Sequence, residues 1–172
     1  MLGIMRALVF GLVVCLVMLS GALGSARAAN DQDKSFIHSA LQDDADLRML
    51  SDLAAKKIAN SKVKDFAKGL SQRASSDDTV LMPLAKREDV RAPGTLSVRA
   101  SDQFSRIQAQ AGGNAADEYL RDVAIDARII EDDYTYEAQS GADPALKRLA
   151  SSRAGELERL ARQADSLRDA VH

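Results

Sequence analysis

The hydrophobic and polar positions of this chain repeat with the period of an α-helix over most of its length. Between residues 117 and 140, apolar side chains recur at spacings of three and four, which places them on one face of a helix. These positions are Leu120, Val123, Ala127, Ile130, Tyr134 and Ala138. An apolar face of this length must be covered by other helices, and we expect the rest of the chain to supply them.

The same spacing predicts five helices in all. We expect them at about residues 33–59, 61–86, 97–111, 116–140 and 144–170. Residues suited to helix N-termini lie at three of the starts: Asp31 or Asp33, Ser61, and Asp143 followed by Pro144. The expected stops are Asn60, Gly112-Gly113-Asn114 and Gly141. Pro83 should kink or end the second helix near its last turn.

Four of these helices would be long, at about 25 residues or 38 Å each. The joint at Asn60-Ser61 is tight, which makes the first two helices antiparallel. The longest break, residues 87–97, contains Pro93-Gly94 and is typical of a crossover loop. The sequence therefore predicts an all-α fold, an antiparallel four-helix bundle with a short extra helix in its crossover connection.

The first 28 residues have the organisation of an export signal. Arg6 provides a basic start, residues 7–19 are almost continuously apolar, and Ala26-Arg27-Ala28 has the small-x-small form of a signal peptidase site. The apolar run is shorter than the ~20 residues of a membrane span, so a cleaved signal is favoured over an uncleaved anchor. We expect a signal peptide over residues 1–28 and a domain over residues 29–172. After cleavage we expect no stable membrane span and a periplasmic protein, either free or associated with the outer membrane or cell envelope.

Cleavage would change the composition in ways that exclude several classes of function. It removes Cys15, the single cysteine, so the mature chain can form no disulfide and offers no thiolate. It also removes two arginines and no acidic residue, which leaves 21 basic and 25 acidic residues, a net charge of −4. A mildly acidic chain of mixed sign is not typical of a nucleic-acid binder, so we expect no nucleic-acid partner.

Residues spread over four of the expected helices carry a resemblance to a known family. They are Phe36, Ala40, Leu53-Ala54, Lys57, Val63-Lys64, Phe66, Leu70, Leu81, Leu84-Ala85, Pro93, Gly112, Tyr119-Leu120, Ala138 and Leu157. In their order and spacing behind a signal peptide, the chain resembles a family of exported bacterial proteins with a ferritin-like bundle, catalogued as domain of unknown function 4142.

The resemblance also implies a metal site. That family tends to have a glutamate in its first helix, Asp-His in its second and a histidine in each of the last two. The resemblance places the corresponding positions at Leu47, Arg73-Ala74, Ala127 and Leu160. Because a ferritin-like site needs carboxylates and imidazoles from several helices, the chain resembles a divergent member that lacks the family's histidines. We expect its metal site to be filled in and non-functional, with no cofactor.

Acidic residues offer a different metal site. They cluster on three helices as Asp43, Asp44 and Asp46, as Asp77-Asp78, and as Glu131-Asp132-Asp133. If Asp46, Asp78 and Asp126 faced one another inside the bundle, they could hold a hard cation such as Ca²⁺ or Mn²⁺. The alternative is a solvated face on which nearby Lys and Arg balance the acids. Asp77-Asp78 is the exception, because it interrupts an apolar stripe.

Two arginines occupy positions that suggest an interior role. Arg73 stands where the resembled family has an acid, and Arg153 falls on the inward side of the last helix. A buried arginine needs a carboxylate partner. A pair of either arginine with Asp77, Asp122 or Asp126 would be a structural replacement for the lost metal site. The alternative is a pair of arginines whose head groups reach solvent.

The remaining candidate residues suggest no further chemistry. His38 and His172 are the only imidazoles; we expect the first near the surface and the second at a frayed chain end. Of Tyr119, Tyr134 and Tyr136, two fall on or beside the apolar stripe and are expected in the core. The sequence contains no Gly-rich phosphate loop and no credible Ser-His-Asp set.

These observations predict a protein that is not an enzyme and that has a structural or interaction role in the cell envelope. The competing hypothesis is a carboxylate-based metal-binding or metal-dependent redox protein of the ferritin-like type. A protein partner would be an envelope protein. The sequence leaves its identity and the oligomeric state open.

Overall fold

The computed structural model describes residues 29–110 and 113–171. These residues form five α-helices and no strand: α1 (Asp31–Lys57), α2 (Ser61–Arg87), α3 (Val98–Ala109), α4 (Gly113–Ser140) and α5 (Pro144–Asp169). The prediction of an all-α chain with five helices is confirmed. The predicted signal peptide over residues 1–28 and the predicted frayed end at His172 lie outside the described residues. No helix within the described ranges is long and apolar enough to cross a membrane.

The capping residues of the first two helices differ from those that the sequence predicts. Asn30 caps α1: its side chain accepts a hydrogen bond from the backbone N–H of Asp33 at 2.8 Å, and the Asp33 carboxylate accepts one from the N–H of Asn30 at 2.9 Å. Asn60, rather than Ser61, caps α2 by accepting from two backbone N–H groups. The paired hydrogen bonds between Asn30 and Asp33, and the two hydrogen bonds to Asn60, satisfy backbone N–H groups that the start of a helix otherwise leaves unpaired. The predicted cap of α5 by Asp143, followed by Pro144, is confirmed.

The second helix continues past Pro83 and ends at Arg87. Pro83 is exposed, where its missing N–H and its ring disturb no packed neighbour. The chain then turns through Asp89, whose φ of 54° lies in the left-handed region. The N–H of Val90 donates to the carbonyl of Ala85 at 2.8 Å, which closes the helix end.

The long helices pack as two antiparallel pairs. α1 packs along α2, α4 packs along α5, and contacts between α1 and α4 join the pairs. α3 lies against α1 and α4. The backbones of α2 and α5 hardly approach each other, so these two helices meet through their side chains.

The apolar stripe that the sequence assigns to α4 is the centre of the core. Leu120, Val123, Ala127, Ile130 and Tyr134 are all buried. The ring of Tyr134 packs edge-to-face on Phe36 of α1, with centroids 4.8 Å apart, and the buried hydroxyl of Tyr119 lies 2.9 Å from Ser51 Oγ. These contacts hold α4 firmly against α1 and so set the positions of the polar side chains described next.

Candidate functional site

The three aspartates predicted as metal ligands lie in two different places. Asp46 and Asp126 are buried near each other: burial raises the pKa of Asp126, Arg99 opposes this rise, and the charge of Asp46 adds to it. Asp78 is half-buried on α2 and pairs with Arg48 at 2.7 Å. Within residues 29–110 and 113–171, no group of three or more His, Cys, Asp or Glu side chains is arranged to hold a metal ion. The structure therefore does not bring the three aspartates together as one ligand set.

The short helix α3 and its capping residue supply the hydrogen-bond donors for two of these acids. The backbone N–H of Ser97 donates to Asp46 Oδ1 at 3.1 Å, and Gln103 Nε2 donates to Asp126 Oδ2 at 2.9 Å. Arg99 Nε lies 3.3 Å from Asp126 Oδ1. The acids thus attach α3 to α1 and α4. The alternative prediction, a solvated acidic face, is wrong for both, since each is buried and has protein partners.

A small cavity lies between α1, α2, α4 and α5, midway along the helices, and we call it the charged cavity. It is lined by Asp44, Leu47, Leu70, Arg73, Ala74, Asp77, Ile130, Tyr134, Arg153, Glu156, Leu157 and Leu160. It leaves about 30 Å³ for water-sized molecules. That is room for roughly two waters.

Two arginines bridge α5 and α2 across the charged cavity. Arg153 binds Asp77, and its other amino group donates to Glu156 Oε2 at 2.8 Å; Arg73 binds Glu156 as well. The predicted pair of Arg153 with Asp77 is present, whereas Arg73 has a partner that the sequence did not single out. Burial raises the pKa of Asp77, and the guanidinium of Arg153 counteracts that rise. Because the backbones of α2 and α5 hardly approach each other, these ion pairs are the main polar connection between the two helices.

Asp44 is the buried acid of the charged cavity. Its side chain is 6% exposed, and Oδ2 has no hydrogen-bond partner within the described residues. Burial, followed by the charges of Asp77, Asp78 and Asp43, raises the pKa of Asp44 to about 8. The lining residues include three acids and two arginines, an excess of one negative charge. A proton on Asp44 at neutral pH removes that excess.

Comparison with known proteins identifies the family but not an activity. The model of a family described as Domain of unknown function (DUF4142) matches residues 19–167. The chain belongs to this family. No curated protein and no solved structure matches the chain. The chemistry of the site must therefore be argued from the residues of this chain.

The residues at the positions implied by the family resemblance do not fit a ferritin-like metal centre. Leu47, Ala74 and Ala127 are buried, and Leu160 is partly buried. Leu47, Arg73, Ala74 and Leu160 all line the charged cavity. Methyl and methylene groups cannot coordinate a metal, and the guanidinium at Arg73 carries the charge of a cation itself. The arrangement can hold a proton and bridge two helices, but its lining contains no imidazole, thiol or set of open carboxylates.

The other candidate side chains have ordinary structural positions. His38 is exposed, with Nδ1 3.0 Å from the carbonyl oxygen of Arg91. Tyr119 and Tyr134 are buried, as predicted, and Tyr136 is exposed. Burial raises the pKa of both core tyrosines, so neither is a source of phenolate.

The sequence analysis named Asp44 only as a member of an acidic cluster, without predicting its burial, and did not name Glu137. Both have an oxygen without a hydrogen-bond partner in the described part of the chain. The signal was present in the spacing, because Asp44 lies three residues from both Leu41 and Leu47, and Glu137 lies three residues after Tyr134. An acid that falls on an apolar stripe is expected inside the protein, as the sequence argument recognised only for Asp77-Asp78.

Proposed function

We propose that the chain is an exported, periplasmic protein with a structural or interaction role. In this proposal α1, α2, α4 and α5 form a ferritin-like four-helix bundle, α3 occupies the crossover, and the former metal site is filled in. The antiparallel pairing of α1 with α2 and of α4 with α5 supports this architecture. Export rests on the signal pattern of residues 1–28.

The observation that carries the proposal is the pair of guanidinium groups in the charged cavity. Arg153 contacts both Asp77 and Glu156, and Arg73 contacts the same Oε2 atom of Glu156. The side chain of Arg153 is 20% exposed, whereas that of Arg73 is 47% exposed and reaches solvent. Both guanidinium groups neutralise carboxylates that a bound metal would otherwise have to neutralise. In this proposal the site connects α2 to α5 without a metal.

The interaction part of the proposal is supported by a groove on the surface between α2 and α5. Its volume is about 590 Å³, and Phe66, Leu70, Leu160 and Leu167 form its apolar walls. Gly69 also lines the groove, and a methyl group added there would touch nothing within 4 Å. A glycine inside a helix costs about 1 kcal/mol relative to alanine, and packing within the described chain does not require a glycine at this position. We therefore expect an apolar helix face of an envelope protein to approach α2 at this point.

Metal content is the first test of the filled-in site. The exported protein should be purified without chelator or affinity tag and analysed by elemental mass spectrometry, and the intact mass should be measured in parallel. We expect no stoichiometric metal and a mature chain that begins near Ala29. Near-stoichiometric iron, manganese, zinc or calcium would reject the filled-in site, and a mass that includes residues 1–28 would reject cleavage of the signal.

A carboxylate-based cation site is the second candidate, and the unpartnered oxygen of Asp44 favours it. The same metal analysis on Asp44→Asn separates the two aspartate groups. If the wild-type protein carries a metal and Asp44→Asn does not, the cation occupies the charged cavity. If both carry it, the neighbouring Asp46 and Asp126 become the candidates.

Site-specific crosslinking tests the groove. A photoreactive amino acid should be placed in cells at Gln163, which lines the groove, and at Asp132, which is exposed on α4. We expect a crosslink to an envelope protein from position 163 and none from position 132. Equal crosslinking from both positions, or from neither, would contradict an interaction through this groove.

A further inference from the structure

A second pair of buried carboxyl groups lies at one end of the molecule, away from the charged cavity. Asp33, in the first turn of α1, is fully buried, and Glu137, in the last turn of α4, is 1% exposed. The Asp33 carboxylate binds the N–H groups of Ala142 and Asp143, and the Glu137 carboxyl lies against Gly141, so the two groups are neighbours and each shifts the pKa of the other. Neighbouring carboxylates repel each other unless a proton lies between them.

Asp33 is held by the backbone of two separate segments. Its Oδ2 accepts from the N–H of Asn30 at 2.9 Å and of Asp143 at 3.2 Å, and its Oδ1 accepts from the N–H of Ala142 at 2.8 Å. Burial by itself raises the pKa of Asp33, but these three N–H groups and the Glu137 carboxyl together lower it. Asp33 is therefore the ionised member of the pair, and it joins the start of α1 to the turn between α4 and α5.

Glu137 is held in place by α1 and by the same turn. Its Oε2 accepts from Gln32 Nε2 at 3.3 Å, and its backbone carbonyl accepts from the N–H of Gly141 at 2.9 Å. A side chain at Gly141 would overlap the Glu137 carboxyl group. Oε1 has no donor within the described residues, so an ionised Glu137 would leave a buried charge unpaired beside Asp33.

We propose that Asp33 and Glu137 share one proton, and that this pair is a pH-dependent clasp between the start of α1 and the α4–α5 turn. A protonated Glu137 donates its O–H to the Asp33 carboxylate, which removes the unpartnered oxygen and the repulsion together. When the proton leaves, two buried negative charges face each other, and the clasp loosens. The clasp does not depend on the proposed function of the charged cavity.

The charged groups around the pair determine the pH at which it opens. Lys147 of α5 and the Gln32 amide of α1 favour the ionised form of Glu137, but burial and the neighbouring Asp33 outweigh them and raise its pKa to about 7. Asp133 of α4 lies one helical turn before Glu137 and lines the same surface hollow. The nearby Asp143 is paired with Arg87 of α2 at 2.7 Å.

The sign of the effect follows from the raised pKa of Glu137. An acid that binds its proton more tightly in the closed clasp than in the open one favours closure at low pH. Closure should weaken as pH rises from about 4.5 to about 7 and then stay constant. If the protein is exposed to the pH of its surroundings, the start of α1 should become more mobile as that pH rises towards 7.

Amide hydrogen exchange by NMR tests the clasp directly. The protection factors of Asn30, Ala142 and Asp143, corrected for the intrinsic pH dependence of exchange, should fall on the order of tenfold between pH 5.5 and 7.5. Amides of the core, such as Val123, should not follow this change. A direct ¹³C titration of the Glu137 carboxyl should give a midpoint near pH 7, and a midpoint at its ordinary value would overturn the proposal whatever the variants show.

Glu137→Gln is the informative variant, because its amide can still donate to Asp33 but cannot lose a proton in this range. We expect the protection of Ala142 and Asp143 to become independent of pH. Asp44→Asn is the matched control, since it removes another buried acid far along the chain and should leave the local pH dependence intact. The proposal is wrong if Glu137→Gln keeps the wild-type pH dependence at these amides, or if Asp44→Asn abolishes it.

Discussion

Asp44 and Glu137 are buried acids that each have an oxygen without a hydrogen-bond partner in the described residues, and their surroundings compensate for this in different ways. In the middle, Asp44 faces the charged cavity, where Arg153 and Arg73 neutralise the neighbouring acids. At the end, Glu137 lies beside Asp33, whose charge is stabilised by three backbone N–H groups. In the middle region, side-chain cations compensate the buried negative charge. In the end region, backbone N–H dipoles and a proton compensate it.

The difference predicts how each region responds to change. Removal of a guanidinium leaves carboxylates in a partly buried site without a cation, which is costly whenever they are ionised. Among the substitutions, only proline removes a backbone N–H group, so the end region is sensitive mainly to the shape of the turn and to the proton. Stability measurements on single variants can therefore distinguish the two arrangements.

The largest effect is expected from Arg153→Ala. The change removes the cation that binds Asp77 directly and leaves only the more exposed Arg73 near it, and we expect a loss of about 2–3 kcal/mol at pH 8. This is less than for a fully buried pair, because the Arg153 side chain is 20% exposed. Urea unfolding at pH 8 and pH 5 measures it, and the loss should be smaller at pH 5, where the acids can take up protons.

Arg162→Ala is the matched control for that prediction. Arg162 pairs with Glu158 one turn away on α5, and both side chains are more than half exposed. Such a pair contributes little, so the variant should lose under about 0.5 kcal/mol. Equal, small losses in both variants would show that the arginines of the charged cavity are solvated rather than structural.

The end region should respond most to Gly141→Ala. The new methyl group overlaps the Glu137 carboxyl, and we expect a loss of about 1–3 kcal/mol, the usual cost of overpacking. Gly69→Ala is the control, because nothing lies within 4 Å of the added methyl group in α2 and helix propensity should then raise stability by roughly 0.5–1 kcal/mol. Equal and favourable effects of both changes would show that the α4–α5 turn has room to rearrange.

Asp44→Asn tests the middle region with a smaller expected effect. Because the folded-state pKa of Asp44 is raised to about 8, its contribution is most favourable at low pH and is lost as pH rises towards 8. The variant should therefore be more stable than the wild type at pH 9, by on the order of 1 kcal/mol, and no more stable at pH 5. Asp44→Ala should show the same pH dependence at lower overall stability, since it enlarges the cavity. A difference from the wild type that does not change with pH would contradict ionisation of Asp44 in this range.

The fold could be predicted from the sequence because periodicity and turn residues are local signals. The spacing of Leu120 to Tyr134 identified the buried face of α4, and Asp143-Pro144 identified the start of α5 to the residue. The first two caps were assigned one to three residues too late. Asn, Asp and Ser cap helices about equally well. Residue type alone therefore does not show which of two neighbours, such as Asn60 and Ser61, is the cap.

The charged cavity was predictable only in part. The inward position of Arg153 and the interruption of the stripe at Asp77 could be recognised in one helix at a time. Which acid meets Arg73 depends on the axial register of α5 against α2, and periodicity carries no information about that register. The same limit explains why Asp46, Asp78 and Asp126 were grouped, although only two of them are neighbours.

The smallest expected effect concerns the turn that ends α2, at the same end as Asp33 and Glu137. Asp89 has a φ of 54°, where a β-carbon is strained and glycine is not. Asp89→Gly should raise stability by roughly 0.5 kcal/mol in urea unfolding, while Asp89→Ala should not, because it keeps the β-carbon. The turn at Asp89 follows Arg87, which pairs with Asp143. Glycine keeps the shape of this turn, so the Asp89→Gly variant should leave the amide protection of Ala142 unchanged. A loss of protection at Ala142 would mean that the Asp89 side chain helps to hold the end region closed. The end of α2 would then stabilise that region together with the backbone of the α4–α5 turn.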